Sequence, residues 1–257
     1  MKPVPPANSQ LTTDWRLHTF TYLAEDWVSP WSGVSSPKGT RITVSSIIVL
    51  TKKKQLTIPL PNASALLLNS SALAFISARK IRDRSGIDKT LHTGVNSPSD
   101  EEAFDYIEKM VESIVLAFTA LEAFVNETIP SDYFYARHHR SDIVLEAASK
   151  QTIERHTTLD EKLTSVLPEI LSCTSPKGGR SWHGYKTLKN FRDRIIHMKT
   201  EDRRSSGAEI DTVWKAIILA PAPHIAAKAV IDHFVSTIKE KPNWHQHFPY
   251  STPQVIT

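Results

Sequence analysis

The sequence predicts a mainly α protein, a helical bundle in its C-terminal half with a smaller N-terminal α+β part that contains a β-hairpin. Three observations predict it. In residues 99–130 the apolar side chains Phe104, Ile107, Val111, Ile114, Phe118, Leu121 and Val125 recur at spacings of three and four, the period of a helix with one buried face. Residues 158–171 and the run from Ser181 also read as helices, the first with Leu159, Leu163, Val166, Leu167 and Ile170 on one face. Residues 40–60 are the one convincing β segment, two β-branched runs divided by Lys52-Lys53-Lys54.

Taken in order, residues 1–13 are rich in Pro, Ser, Asn and Thr and predict an extended or loosely ordered arm. Residues 14–27 carry Trp15, Leu17, Phe20, Leu23 and Trp27, a pattern that fits a short helix or a strand with a turn. Pro30, Gly33, Pro37 and Gly39 make 29–39 a loop. Ile42, Val44 and Ile47 to Leu50, then Leu56 to Ile58, supply the hairpin, with the three lysines as a solvated turn or a contact for RNA. Residues 63–84 are apolar first and basic later, and predict a helix whose basic end, Arg79 to Arg84, lies near a phosphate backbone or is simply an exposed helix terminus.

Residues 85–98 form a loop and the boundary between an N-terminal region, 1–98, and a bundle, 99–240. Ser99 with Glu102 is a capping box, and Asp100 and Glu101 suit the positive end of the helix that follows. Glu122 falls on or beside its apolar stripe, where an unpaired carboxylate is costly. It faces the Arg192 guanidinium or a neighbouring polar group inside the bundle, or else edges the stripe. Asn126 and Glu127, one turn on, extend that polar pocket or cap the helix end.

In residues 132–140, Tyr133, Phe134 and Tyr135 precede Arg137, His138, His139 and Arg140. Aromatic rings can stack on unpaired bases while cations hold phosphates, which makes Tyr135 and Arg137 candidates for RNA contact; the same composition also suits a loop covering the bundle end. Residues 141–156 predict another helix, and Pro176-Lys177-Gly178-Gly179 is the loop before the Ser181 helix. Ser206 with Glu209 is a second capping box opening a helix to Leu219, and Pro223 starts a final helix to about Lys239. A C-terminal tail, 241–257, holds Trp244, His245, His247 and Phe248.

Composition bounds the function. With 257 residues, 40% hydrophobic and 23% charged, the chain can bury a sizeable core, and a net charge of +4 permits nucleic acid without requiring it. Cys173 is the sole cysteine, so one chain can form neither an intrachain disulfide nor a cysteine-based zinc site, and a reducing cytoplasm is the expected compartment. The expectation is no membrane partner, since no apolar run approaches the roughly 20 residues of a span. Adjacent His138 and His139, and the pair His245 and His247, lack an Asp or Cys framework, so neither metal nor other cofactor is expected.

The candidate active site is the stretch from Phe191 to His197, which sets Arg192, Asp193, Arg194 and His197 among apolar residues. Asp193 and His197 are four apart, so on a helix the carboxylate can hold the imidazole. Arg192 lies roughly 140° round the axis from His197 and borders the same surface. A guanidinium fork suits a phosphate, and a histidine moves a proton near neutral pH, so the trio suits phosphodiester chemistry. Arg194, Lys199, Arg203 and Arg204 add positive charge around it. A solvated face carrying one histidine has the same spacing.

Arg192, the polar Asp193 and His197 resemble the signature of the HEPN family of helical ribonucleases: Arg, a polar residue, a short gap, then His. The Ala120-Leu121-Glu122-Ala123-Phe124 run is similar to the early helix of bacterial HEPN proteins. The segment from Leu159 to Pro168, with Trp182, Tyr185 and Leu188, resembles the run leading to their Arg/His helix. The resemblance covers about residues 99–199. It implies a HEPN-like bundle and a metal-independent endoribonuclease in which the ribose 2′-hydroxyl attacks the adjacent phosphate. In that scheme His197 exchanges the proton, Arg192 stabilises the phosphorane and Asp193 orients His197 or the helix pair, with Glu122 and Asn126 in support.

The resemblance also implies a homodimer whose two Arg/His helices face each other across a cleft, RNA (tRNA or mRNA) as substrate, and a toxin or abortive-infection role in defence. Family members silenced by a nucleotidyltransferase carry a tyrosine two residues after the histidine. Lys199 stands there in this chain, so the resemblance does not extend to that control. Residues 1–98 are open to substrate selection or to sensing a regulatory partner. The alternatives are a non-catalytic HEPN-like module that binds RNA or protein, and an unrelated bundle serving as a regulatory subunit.

Overall fold

The computed structural model describes residues 14–18, 20–28, 30, 33–86, 99–136, 147–203 and 210–251. The chain is mainly helical, with a small β region at its N-terminal end. There, β1 (Phe20–Tyr22) pairs antiparallel with β4 (Arg41–Thr43), and β2 (Trp27–Val28) pairs with β3 (Ser35–Ser36). Residues 14–27, open to helix or strand from sequence, therefore supply strands, and the expected loop after them contains β3. The predicted hairpin is β5 (Ser45–Thr51) paired with β6 (Lys54–Pro59), with Ser45 opposite Pro59 and Val49 opposite Gln55.

Two long helices carry the core. Asn62 caps α1 (Ala63–Ser85), its side chain accepting from the Ala65 N–H, and Ser99 caps α2 (Asp100–Thr128), accepting from the Glu102 N–H. They run antiparallel, touching from Asn62 and Glu127 at one end to Arg84 and Glu102 at the other. Ala65, Ser71, Ala72 and Ala78 on α1 and Ser113, Ala117 and Ala120 on α2 are buried, and side chains this small let the two backbones come close. At mid-length the Ser71 hydroxyl donates to the Ser113 carbonyl at 2.7 Å and the Ser113 hydroxyl to the Ser71 carbonyl at 2.8 Å. Both buried polar groups are thereby satisfied. The α1 residues belong to the same continuous core as the bundle.

Past α2, β7 (Phe134–Tyr135) pairs with β8 (Ala148–Ser149) and leads into α3 (Lys150–His156). The helix expected over 141–156 is thus confined to its second half among the described residues; Ser149 accepts from the Thr152 N–H and caps it there. Residues 159–171 are helical but not uniformly so: α4 (Leu159–Glu161) passes through a π segment (Lys162–Val166) into α5 (Leu167–Leu171). Then come α6 (Arg180–Ile196), α7 (Val213–Ile218), α8 (Pro223–Val235) and α9 (Asn243–His247). The expected capping box Ser206/Glu209 lies outside the described residues, and the cap of α7 is Thr212.

Helix α8 packs on α1, α2 and α6, and buries Ala227, Val230, Ile231, Phe234 and Val235. The tail docks on the bundle. Trp244 and Phe248 are buried, Phe248 meets Trp15 edge-on at 5.7 Å, and Asp232 of α8 binds His245 at 2.5 Å. Glu127, at the end of α2, holds the β region to the bundle through Asn62 at 2.6 Å and His18 at 2.9 Å. No helix among the described residues is long and apolar enough to cross a membrane.

Candidate functional site

The site is built on α6 where it crosses α2. Residues Trp182, Tyr185, Lys189 and Arg192 recur every three or four positions and so share one face of α6. Tyr185 is fully buried, its ring 6.4 Å from Phe118 of α2 and nearly parallel to it, and 5.0 Å from Trp182. Two turns on, the Arg192 guanidinium lies over the same Phe118 ring at 4.9 Å, close enough for a cation–π contact.

Below this contact lies a polar network that the sequence did not single out. The Tyr185 hydroxyl donates to Asp160 of α4, and the other oxygen of that carboxylate binds Lys186 at 2.9 Å and Lys189 at 3.1 Å. Burial pushes the Asp160 carboxyl up, but the bonds from Tyr185, Lys186 and Lys189 outweigh it and hold the group below its ordinary value. Burial first, and then the bond to Asp160, pushes the Tyr185 phenol far above its usual range. Lys162 of the π segment is only 1% exposed; its ammonium donates to Asn126 at 2.8 Å and to the Glu154 carbonyl at 3.0 Å. Burial lowers its pKa, against the opposing charges of Glu122 and Glu154.

Glu122 and Asn126 are therefore brought together with Lys162. Glu122 is half-buried and acts electrostatically on Lys162 and Tyr185, so of the three expected options the neighbouring polar group is the one it meets, and that group is a lysine. The signals for the missed residues were present. Lys162 interrupts the apolar stripe Leu159, Leu163, Val166, and Asp160 follows the helix cap Thr158. Nothing local in the sequence says that these two charges meet α2 and α6.

At the end of α6 the arrangement departs from the expected one. Asp193 bonds its neighbour Arg192, with Nη1 donating to Oδ1 at 3.0 Å. His197 is the first residue beyond the helix, with φ −114° and ψ 60°. Its backbone N–H still donates to the Asp193 carbonyl at 2.8 Å, which keeps its Cα in the i, i+4 register, but its non-helical φ turns the side chain away from the direction a helical residue would give it. The exposed imidazole has no hydrogen bond to Asp193, and the carboxylate orients Arg192 instead.

The remaining candidates separate. Arg194 is directed to a different place: it donates to Asp202 at 2.7 Å and to the Asp211 carbonyl at 2.9 Å, and the same Asp202 oxygen accepts the Val213 N–H at 2.6 Å. Burial opposes ionisation of Asp202, yet the Val213 and Arg194 bonds prevail and lower its pKa. A guanidinium so committed fastens the start of α7 and is not free for a phosphate. Tyr135 is buried, so its ring is not open to stack on a base; burial raises its pKa. Lys199 and Arg203 are exposed. Arg137 and Arg204, with His138 and His139, lie outside the described residues. Compared with protein-family models, with curated proteins and with solved structures, the chain matches none of them.

Proposed function

We propose that the chain is an endoribonuclease acting at the C-terminal end of α6, a reading that joins the HEPN resemblance to the geometry of Arg192. The observation that carries it is the placement of that guanidinium: spread on Phe118, tethered by Asp193, half-exposed, and one turn from the exposed imidazole of His197. Arg192 is then oriented in advance to receive a phosphodiester, and a fixed fork loses little freedom on binding.

In the proposed reaction the ribose 2′-oxygen attacks the adjacent phosphorus and the bond from phosphorus to the 5′-oxygen breaks. The 2′-hydroxyl proton leaves to a base and the departing 5′-oxygen takes one from an acid, so the products are a 2′,3′-cyclic phosphate and a free 5′-hydroxyl. The nucleophile belongs to the RNA, and the protein supplies charge and proton transfer. Arg192 stabilises the charge that gathers on the phosphorane. His197 exchanges one proton, and His197 of a second copy, facing it across a two-fold axis, exchanges the other. Lys199 extends the positive surface along the RNA backbone. A role as a toxin or defence effector rests on the family resemblance alone.

The bond between Arg192 and Asp193 favours a second reading, a module that binds RNA or protein without cutting, with Arg192 held as part of an internal network. One experiment separates the two. Total tRNA and a structured messenger are incubated in EDTA with wild type and with His197→Ala, and the fragment ends are mapped. Cyclic phosphate ends made by the wild type alone support the ribonuclease. No cleavage, or cleavage that survives His197→Ala, leaves the binding module.

A further inference from the structure

The hairpin of β5 and β6 stands out because it buries so little. Ile47 and Val49 are each 64% exposed and Leu50 is 51% exposed, with Ile48 and Leu56 also open to solvent. Both faces of the ribbon are therefore apolar and wet, although a two-stranded ribbon is only marginally stable by itself in water. No charged side chain lies between Ser45 and Thr51 to blunt the strand edge, and the one register shift, between Val49 and Thr51, falls at the tip end of β5.

The register says which backbone groups face outward. The Leu60 N–H donates to the Val44 carbonyl at 2.7 Å, so Val44 and Leu60 are a hydrogen-bonded pair. Alternation then turns the polar groups of Ser46 and Ile48 toward β6 and those of Ser45, Ile47 and Val49 toward the free edge of β5. On β6 the outward positions are Gln55, Thr57 and Pro59, and Pro59 has no N–H to offer. Among the described residues, the β5 edge is the one open to another strand.

We propose that the outer edge of β5 pairs antiparallel with β5 of a second copy of this chain, making a four-stranded sheet with a two-fold axis at Ile47. Only a self-complementary patch can meet itself across such an axis, and this register matches Ser45 with Val49 of the other copy and Ile47 with Ile47. All three outward N–H groups and all three outward carbonyls on each side are then used. Charge selects the same arrangement. Lys52, Lys53 and Lys54 close the hairpin tip, about six residues from Ile47, so the two tips end up roughly 40 Å apart at 3.4 Å per residue. That is several times the screening length of about 8 Å, whereas a parallel pairing would set six lysines side by side. One strand edge with four apolar side chains falls short of the roughly 800 Å² per partner buried in stable complexes, which makes the pairing a weak, concentration-dependent equilibrium. It stands independently of the ribonuclease reading and of any contact through α6.

The test is the mass of the full chain by sedimentation across about 1–100 µM, set against Ile47→Pro and Thr57→Pro. Each proline removes an outward N–H and leaves the bonds between β5 and β6 in place, so the two variants differ in the edge they block. Wild-type mass rising with concentration, cut by half in Ile47→Pro and unchanged in Thr57→Pro, is the expected result. A monomer of 28.9 kDa throughout, an assembly indifferent to Ile47→Pro, or equal loss in both variants overturns the proposal. Ile47→Cys gives a second measurement free of proline. A hydrogen-bonded antiparallel pair holds its Cα atoms about 5.5 Å apart, within disulfide reach, so Ile47→Cys cross-links on mild oxidation and Thr57→Cys does not. Absence of the Ile47→Cys cross-link also overturns it.

Discussion

Substituting Tyr185→Phe removes one oxygen atom from the fully buried centre of the α6 face and leaves the ring that stacks on Phe118 in place. What is lost is the hydrogen bond to Asp160. A hydrogen bond to a charged acceptor contributes about 1.5–3 kcal/mol, and here Lys186 and Lys189 remain to satisfy the carboxylate, which sets the expected cost near the middle, about 2 kcal/mol. For a domain of this size that lowers the melting temperature by about 4–8 °C. Urea unfolding at pH 7 measures it, and a cycle with Asp160→Ala assigns it, since the two substitutions should couple by at least about 1 kcal/mol.

The pH dependence is a second check on the same bond. Asp160 titrates below its ordinary value in the folded protein, so the folded state binds fewer protons than the unfolded one in that range. Its contribution is complete above the ordinary carboxylate pKa of about 3.9 and is lost as pH falls through the folded-state value. The gap between wild type and Tyr185→Phe should therefore narrow below about pH 3.9. A change under about 0.5 kcal/mol at pH 7, or a full penalty with no coupling to Asp160→Ala, would refute the network as described.

Lys162→Met should destabilise the protein by about 2–4 kcal/mol, because it leaves the Asn126 oxygen and the Glu154 carbonyl without their donor. Since burial lowers the lysine pKa, the unfolded state binds more protons between the folded value and about 10.4, and wild type should gain stability relative to the variant as pH rises through that window, as alkaline unfolding curves will show. Arg194→Ala should cost about 3 kcal/mol, a fall of about 6–12 °C in thermal melts, because it strips a buried Asp202 of its cation. On the proposed ribonuclease reading, RNA affinity at a temperature where both proteins are folded should be unchanged by Arg194→Ala and weakened by Lys199→Ala, as filter binding will show.

The sequence by itself determined the elements whose information is local. The capping box at Ser99 and the three-to-four spacing from Phe104 to Val125 are sufficient for α2, and the alternating β-branched runs around Lys52 and Lys53 are sufficient for the hairpin, because caps, turns and periodicity are properties of neighbouring residues. Only the tertiary structure decided which charges meet. That Asp160 and Lys162 lie against α2 and α6, that Arg194 closes on Asp202, and that Tyr135 is buried all depend on which helix faces lie together. The end of α6 was decided in the same way. Asp193 turns to Arg192, whose guanidinium is drawn onto Phe118 from another helix, and the non-helical φ at the helix end turns the His197 side chain aside. Spacing along a sequence offers a carboxylate several partners, and packing between distant segments chooses among them.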